Sequence, residues 1–379
     1  MQKLTKKELD MKNPRDKIIL ITLFVVILFA FFATVIFSES HLSLSARSAV
    51  LYSPDTNEFL YSENADARLP MASTTKIMTA LVALENSDIT RVVEIADEAI
   101  GVEGSSLYLK RGEAMTMEDL LYGLMLRSAN DAALAIAYEI SGGVYEFAEL
   151  MNSKASELGL TDTHFENPHG LDSPLHYTTA KELAVIASAA LKNETFKKIV
   201  STKKTTITNE DGEARLIINH NKLLRLYDGA IGVKTGFTKK SGRSLVGAVE
   251  KDGLSFITVT INAPDDWNDH KKLFDYGYSL LKSVTLADAR EFTYNIPVIG
   301  SDKDLVTVSN TDALSVITKH TDSTPDYDVI LPQYISAPVK AGDVIGKVIF
   351  TLDGKNVGEL PLIAEEDAVK VKNKRFTIF

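Results

Sequence analysis

Ser73 and Lys76 form the first of three short motifs whose side chains suit nucleophilic catalysis. They stand three positions apart at the start of a helical pattern, so their side chains share one helix face. A serine hydroxyl is a weak nucleophile until a base takes its proton, and a desolvated lysine can be neutral enough to take it. An N-capping serine beside an exposed lysine is the alternative, and this motif alone favours that alternative.

Two further motifs supply groups that a substrate could use. Ser128 and Asn130 follow an apolar run. On a turn, the hydroxyl could relay a proton and the amide could bond a substrate amide, although a helix cap or turn is the ordinary alternative. Lys234 and Thr235 suit a substrate carboxylate, while Gly236 leaves room for a substrate backbone. A strand with one exposed lysine and a glycine bulge would explain the same three residues.

The elements that must position these motifs follow from the apolar spacing. Apolar residues three and four positions apart predict helices near 75–86, 117–140, 145–158, 179–192 and 268–282. Strand patterns at 244–250 and 254–261, separated by a Lys-Asp-Gly turn, predict a hairpin directly after the third motif. After about residue 285, short alternating runs between turn signals predict a small all-β domain.

In this order, S-x-x-K, S-x-N and K-T-G correspond to the signature shared by class A β-lactamases and penicillin-binding proteins. Across residues 45–365 the sequence resembles serine-type D-alanyl-D-alanine carboxypeptidases, the low-molecular-mass penicillin-binding proteins of peptidase S11 type. The resemblance implies an α/β (mixed α+β) transpeptidase-like fold in a catalytic domain at 45–283. An all-β C-terminal domain without catalytic residues is expected at 284–366. The stretches that carry the resemblance are 70–80, 126–133, 167–172, 177–180 and 232–236.

The resemblance also assigns chemistry to the first two motifs. It implies that Ser73 forms the acyl-enzyme, that Lys76 is its general base and that Ser128 relays the proton. The oxyanion hole would be the backbone N–H groups of Ser73 and Phe237, because charge developing on the attacked carbonyl needs preorganised donors. No cofactor is implied.

Substrate binding is assigned by the same resemblance. Asn130 would bind the peptide amide, while Lys234 and Thr235, with Gly236 beside them, would hold the carboxylate of the terminal D-alanine. Lys234 would also bias Ser128, the residue that relays the proton. The expected substrate is a peptidoglycan stem pentapeptide ending in D-Ala-D-Ala, and β-lactam antibiotics are expected to acylate the enzyme as covalent inhibitors.

The same motifs and fold would also suit two other functions. A β-lactamase or β-lactam-sensing domain would share the motifs. However, Ala129 stands where class A β-lactamases have aspartate, and no Glu-x-x-Leu-Asn segment of the kind those enzymes use for deacylation is present. A non-catalytic cell-wall scaffold would share the fold, since fold does not guarantee chemistry.

The N-terminal segment predicts a membrane location. Residues 18–37 carry no charge and, as a helix, would span about 30 Å, one hydrocarbon core. Residues 1–17 hold six basic and three acidic side chains, which predicts that they stay in the cytoplasm and that the rest of the chain faces outward. The span is longer than a usual secretory signal, which favours an anchor over a cleaved peptide. A short basic tail, 367–379, could touch anionic lipid, although a frayed last strand is the favoured interpretation.

Composition excludes several classes of protein. The chain has 379 residues, no cysteine and a net charge of −10, so disulfide scaffolds, thiolate metal sites and general nucleic-acid binding are not expected. His164, His169 and His176 cluster in sequence, but no H-E-x-x-H motif accompanies them and Pro168 argues against helical presentation, so no metal site is predicted. The single tryptophan, Trp267, is expected to serve packing.

Overall fold

The computed structural model describes Thr22, residues 42–319 and residues 324–371. From Ser45 onward these residues form one compact unit. Its helices are α1 (Lys76–Asn86), α2 (Met117–Tyr122), α3 (Asn130–Ser141), α4 (Val144–Glu157), α5 (Ala180–Leu191), α6 (Glu194–Ser201), α7 (Leu223–Leu226) and α8 (Asp266–Leu280). The strands before α8 are β1 (Ser48–Ser53), β2 (Glu58–Glu63), β3 (Val92–Glu94), β4 (Ala114–Thr116), β5 (Lys204–Thr208), β6 (Ala214–Ile218), β7 (Ala230–Thr238), β8 (Gly242–Lys251) and β9 (Leu254–Ile261).

A five-stranded antiparallel sheet forms the centre of the first domain, in the order β2-β1-β9-β8-β7. The predicted hairpin is confirmed, since β8 pairs with β9 from Ser244 opposite Ile261 onward. Alternation along the strands puts Val246 and Ala248 into the large core shared with the helices, while Gly247 faces α8. Both faces of the sheet are therefore covered, and β7, which carries the Lys-Thr-Gly motif, forms one edge.

Helix α8 approaches the sheet closely where β8 has no side chain. A Cβ on Gly247 would lie 2.6 Å from Nδ1 of His270, so any other residue there would push the helix away. The fully buried His270 ring places Nδ1 2.6 Å from the Thr258 hydroxyl and Nε2 3.0 Å from the Thr260 hydroxyl. These two bonds satisfy both ring nitrogens without charge, which suits a site shut off from water.

The helix predicted over 117–140 is broken in the structure. After α2 the chain forms a π-helical segment, Gly123–Arg127, and Ser128 then adopts a left-handed conformation with φ of +64°. Apolar spacing continues across this break because both halves bury one face in the same core. The periodicity therefore could not reveal the turn at Ser128.

The second domain consists of strands alone in the described residues. They are β10 (Leu281–Ala287), β11 (Thr293–Ile299), β12 (Leu305–Ser309), β13 (Leu314–Lys319), β14 (Asp326–Ile330), β15 (Ile335–Ser336), β16 (Val344–Leu352) and β17 (Lys355–Ala364). A six-stranded sheet has the order β14-β16-β17-β12-β11-β15, and β10 pairs with β13 in a separate two-stranded sheet. Val348 and Phe350 lie in one apolar cluster of this domain, and Val306 and Val308 lie in another.

The ends of this domain differ slightly from the sequence-based boundaries. Strand β10 begins at Leu281, three residues before the predicted start at 284, because α8 passes directly into it. At the other end, Ala368 and Lys370 still make isolated bridges to Val339 and Ser301. The first residues of the predicted basic tail thus join the β domain, while 372–379 lie outside the described residues.

The predicted cytoplasmic segment 1–17 and the span 18–37 lie outside the described residues, apart from Thr22. Among the residues that are described, no helix has the length and apolar content needed to cross a bilayer.

Burial of His270 predicts an acid-dependent loss of stability. Burial lowers the pKa of His270 to about 3, whereas an unfolded histidine titrates near about 6.5. Below about pH 6.5 the unfolded chain therefore takes up a proton that the folded chain does not. The free energy of unfolding should then fall by up to about 1.4 kcal/mol per pH unit from this residue.

Urea unfolding of wild type and His270→Gln between about pH 4.5 and 8 measures this effect. The variant should lose less stability per pH unit below about pH 6.5. Above about pH 7 the two slopes should coincide, because histidine is then neutral in both states. Equal slopes in the acid range would contradict the assignment.

Candidate active site

Ser73 lies in a strained turn at the start of α1. Residues Ala72–Thr75 form a 3-10 turn, and Ala72 has φ of +49°, in the left-handed region that costs a non-glycine residue about 1–2 kcal/mol. The Thr74 hydroxyl donates to Met71 O at 2.6 Å, and the Thr75 hydroxyl donates to Ala72 O at 2.7 Å. The turn is thus fixed by its own side chains, and it leaves Ser73 facing a cavity.

Lys76 is fully buried behind Ser73. Its Nζ lies 3.2 Å from Ser73 Oγ, 2.6 Å from Asn130 Oδ1 and 2.5 Å from the backbone oxygen of His169. A neutral amine has two N–H groups and one lone pair. Because the amide oxygen and the carbonyl oxygen can only accept, they take both N–H groups, and the lone pair is left for the serine hydroxyl.

Burial lowers the pKa of both lysines at the site, and nearby charge adds to the effect at Lys76. Loss of water lowers the pKa of Lys76 well below its ordinary 10.5, and the charge of Lys234 lowers it further. Burial alone lowers the pKa of Lys234 to about 7. The pair therefore favours a state with one positive charge rather than two, in which Lys76 can act as a base.

Asn130 is held on both sides. Its Oδ1 accepts from Lys76, and its Nδ2 donates to the backbone oxygen of Glu103 at 2.6 Å. The amide nitrogen carries a second hydrogen, so a donor remains free for the substrate amide that the resemblance assigns to Asn130. The structure adds a contact that the sequence did not indicate, since Asn130 orients the lysine amine.

Asp131 next to it fixes the loop that carries Glu103. The buried carboxylate accepts from the Ser106 hydroxyl at 2.6 Å and from the backbone N–H groups of Leu107 and Leu109 at 2.9 and 3.2 Å. A buried carboxylate needs such donors, and here they bind the loop to the start of α3.

Gly236 lies close to the turn that carries Ser73. A Cβ on Gly236 would lie 3.2 Å from Ala72 Cβ, from Met71 O and from Ser73 N. The sequence predicts space for a substrate backbone at this position. The structure shows that the nearest backbone is the Ser73 turn itself, which β7 approaches closely. On the same strand, Lys234 Nζ donates to Thr235 O at 2.9 Å.

A cavity of about 370 Å³ brings the predicted residues together. Five of them line it, namely Ser73, Ser128, Thr235, Gly236 and Phe237. The other three, Lys76, Asn130 and Lys234, are buried in its wall.

Several residues that line the cavity were not predicted from the sequence. Arg243 lies opposite Phe237 in the β7–β8 pairing and holds Asp266 through Nε and Nη2 at 3.1 and 2.9 Å. Its guanidinium lies 5.7 Å from the centre of the Trp267 ring. This tryptophan, expected to serve packing, also lines the cavity. The hairpin register could have indicated Arg243, whereas no local pattern indicates His220, which also lines the cavity.

The three clustered histidines have other partners. His176 bonds the Thr75 hydroxyl, His164 bonds Leu175 O, and Leu171 N donates to His169 Nδ1. Among the described residues no group of three or more potential metal ligands occurs.

Comparisons with known proteins place both domains in described families. The family model described as D-alanyl-D-alanine carboxypeptidase matches residues 35–265, and the model described as penicillin-binding protein 5, C-terminal domain, matches residues 282–370. The D-alanyl-D-alanine carboxypeptidase DacF of Bacillus subtilis is 32% identical over 370 residues, which cover 93% of this chain and 95% of DacF. DacC of Escherichia coli is 30% identical over 343 residues, 86% of this chain and 84% of its own length.

Solved structures confirm the predicted fold class. Penicillin-binding protein 5 of Haemophilus influenzae superposes with a TM-score of 0.62 and 28% identity, covering 87% of this chain and 99% of that structure. A DD-transpeptidase of Streptomyces superposes with a TM-score of 0.60 and 35% identity, covering 63% of this chain and 99% of its own. The chain therefore belongs to the D-alanyl-D-alanine carboxypeptidases of peptidase family S11, and it carries the C-terminal domain of the penicillin-binding protein 5 type.

Proposed function

We propose that this chain is a D-alanyl-D-alanine carboxypeptidase that removes the terminal D-alanine from peptidoglycan pentapeptides through an acyl-enzyme on Ser73. The observation that carries the proposal is the contact of 3.2 Å between Ser73 Oγ and the buried Lys76 amine. The two acceptors on that amine support a neutral base aimed at the nucleophile. The names of the related enzymes support the substrate class.

Acylation begins when Lys76 Nζ takes the Ser73 proton and Oγ attacks the carbonyl carbon of the penultimate D-alanine. The backbone N–H groups of Ser73 and Phe237 stabilise the oxyanion. As the C–N bond breaks, the proton on Lys76 passes through the Ser128 hydroxyl to the leaving amine. Free D-alanine departs, and the shortened peptide remains as an ester on Ser73.

Deacylation returns the enzyme to its starting state. A water molecule attacks the ester carbon, Lys76 takes one water proton, and this proton passes to Ser73 Oγ as the ester bond breaks. A β-lactam acylates the same hydroxyl, but its amine stays tethered to the acyl group. Ala129 in the second motif and the missing Glu-x-x-Leu-Asn segment support a long-lived adduct rather than β-lactamase activity.

Lys234 and Thr235 bind the carboxylate of the terminal D-alanine. The ammonium of Lys234 supplies the charge and the Thr235 hydroxyl supplies a second donor, and burial strengthens the attraction because little water competes. Asn130 donates its second amide hydrogen to the peptide carbonyl.

The enzyme works on the outer face of the cytoplasmic membrane. Residues 18–37 anchor it, with residues 1–17 in the cytoplasm, as the charge distribution supports. Cell fractionation of the full chain tests this location. Activity should stay with membranes after a high-salt wash and become soluble when expression starts at residue 45 behind a cleavable signal. Wash-released or cytoplasmic activity of the full chain would contradict an anchor.

Replacing Ser73 should abolish both D-alanine release and acylation by penicillin, because both use the same hydroxyl. Ser73→Ala should lower D-alanine release from a muramyl pentapeptide by about four orders of magnitude or more, and should prevent labelling by a fluorescent penicillin. Ser188→Ala, on α5 and outside the cavity lining, is the matched control and should behave as wild type. Labelling of the Ser73 variant would exclude the assigned nucleophile, and rapid turnover of penicillin by wild type would favour a β-lactamase.

The two lysines predict a bell-shaped dependence of kcat/KM on pH. Activity should fall in acid as Lys76 becomes protonated, since an ammonium cannot act as a base. It should also fall above about pH 7, as Lys234 loses the proton that attracts the carboxylate. Lys234→Arg keeps the charge, so it should remove the alkaline limb and retain the acid limb. An unchanged alkaline limb in that variant would contradict the role of Lys234.

A further inference from the structure

The strained residue before the nucleophile is held through its carbonyl group. Ala72 has φ of +49°, and its carbonyl oxygen accepts from the Thr75 hydroxyl at 2.7 Å. Gly170 of the 164–177 loop approaches the same oxygen so closely that a Cβ there would lie 2.0 Å from it. Strained backbone persists only where the surroundings over-determine it, so the support for the Thr75 hydroxyl matters to Ser73.

That support comes from His176, which is 3% exposed and distant in sequence. Its Nε2 lies 2.7 Å from Thr75 Oγ1, and its Nδ1 lies 3.0 Å from the backbone N of Glu166. A backbone N–H can only donate, so Nδ1 accepts and the ring carries its proton on Nε2. This tautomer donates to Thr75 Oγ1, and the threonine hydroxyl therefore directs its own hydrogen to Ala72 O.

We propose that His176 is a positioning residue for the acylation step, which orients the Ser73 turn through Thr75. The relay runs in one direction, from Glu166 N–H to the imidazole, from the imidazole to the Thr75 hydroxyl, and from that hydroxyl to Ala72 O. It sets the direction of the peptide unit that precedes Ser73. That peptide unit carries the Ser73 N–H, one of the two donors assigned to the oxyanion hole. The proposal rests on the proposed function of Ser73.

Four single variants, the double variant of His176→Leu with Thr75→Val, and a control test the relay. His176→Leu and Thr75→Val remove a polar group and keep similar volume, while His176→Gln and Thr75→Ser retain one. A glutamine amide can accept from Glu166 N–H through its oxygen and donate to Thr75 through its nitrogen. His164→Gln, on the same loop but bonded to Leu175 O, is the control. For each protein, the end point of penicillin labelling gives the number of folded sites, and the labelling rate gives acylation per site.

His176→Leu and Thr75→Val should each slow acylation per site by roughly tenfold, because a small misplacement of reacting groups is costly. The double variant should be slowed no more than about twofold beyond either single variant, since both act through one relay. His176→Gln, Thr75→Ser and the control should stay within about threefold of wild type.

Wild-type rates per site in His176→Leu or Thr75→Val would overturn the proposal, and so would multiplying effects in the double variant. If His176→Leu yields no folded sites, the acylation rates of Thr75→Val and Thr75→Ser still test the proposal. Equal rates per site in these two variants would overturn the relay. The proposed function fails separately, through a wild-type protein that neither labels with penicillin nor releases D-alanine.

Discussion

The rest of the active site depends on keeping one lysine amine uncharged inside the protein. Burying an unpaired ammonium is costly, so a buried Lys76 next to a second buried lysine is driven toward the neutral form. The lone pair of a neutral amine points in one direction. In Lys76 this direction is set by two acceptors from distant parts of the chain, Asn130 at the start of α3 and His169 in the 164–177 loop. The fold therefore supplies both the desolvation and the orientation of the base.

The loops around the site are explained by the same constraint. The His169 carbonyl must be presented at 2.5 Å from the amine, and the neighbouring loop residues hold it there. Pro168 O accepts from Thr79, and Asn167 Oδ1 accepts from Gly170 N. On the opposite side Asp131 binds the backbone of the loop that carries Glu103. Carbonyl and carboxylate groups with fixed partners can orient a base without themselves taking part in proton transfer.

Sequence reasoning predicted the three motifs, the central hairpin and the all-β second domain, because each has a local signature. The apolar spacing is continuous across Ser128 and so did not indicate the break in the helix, although the Ser128 and Asn130 motif itself favoured a turn. Nor did sequence reasoning predict that Gly236 makes room for the Ser73 turn, because the contact joins residues far apart in the chain. Arg243 and Trp267 were missed for a similar reason, as their place at the cavity depends on strand register and on where α8 begins. The strand order of the second domain is likewise set by pairing between distant segments.

The passage from α8 to β10 has a mechanical consequence. Helix α8 ends at Leu280, β10 begins at Leu281, and the Leu281 side chain is buried. No linker residue stands between an element packed on the catalytic sheet and a strand paired in the β domain. Turning one domain against the other would therefore have to break hydrogen bonds in the last turn of the helix or in the first pairs of the strand. A load applied to the β domain would therefore reach α8 directly, and through its packing the sheet that carries Lys234.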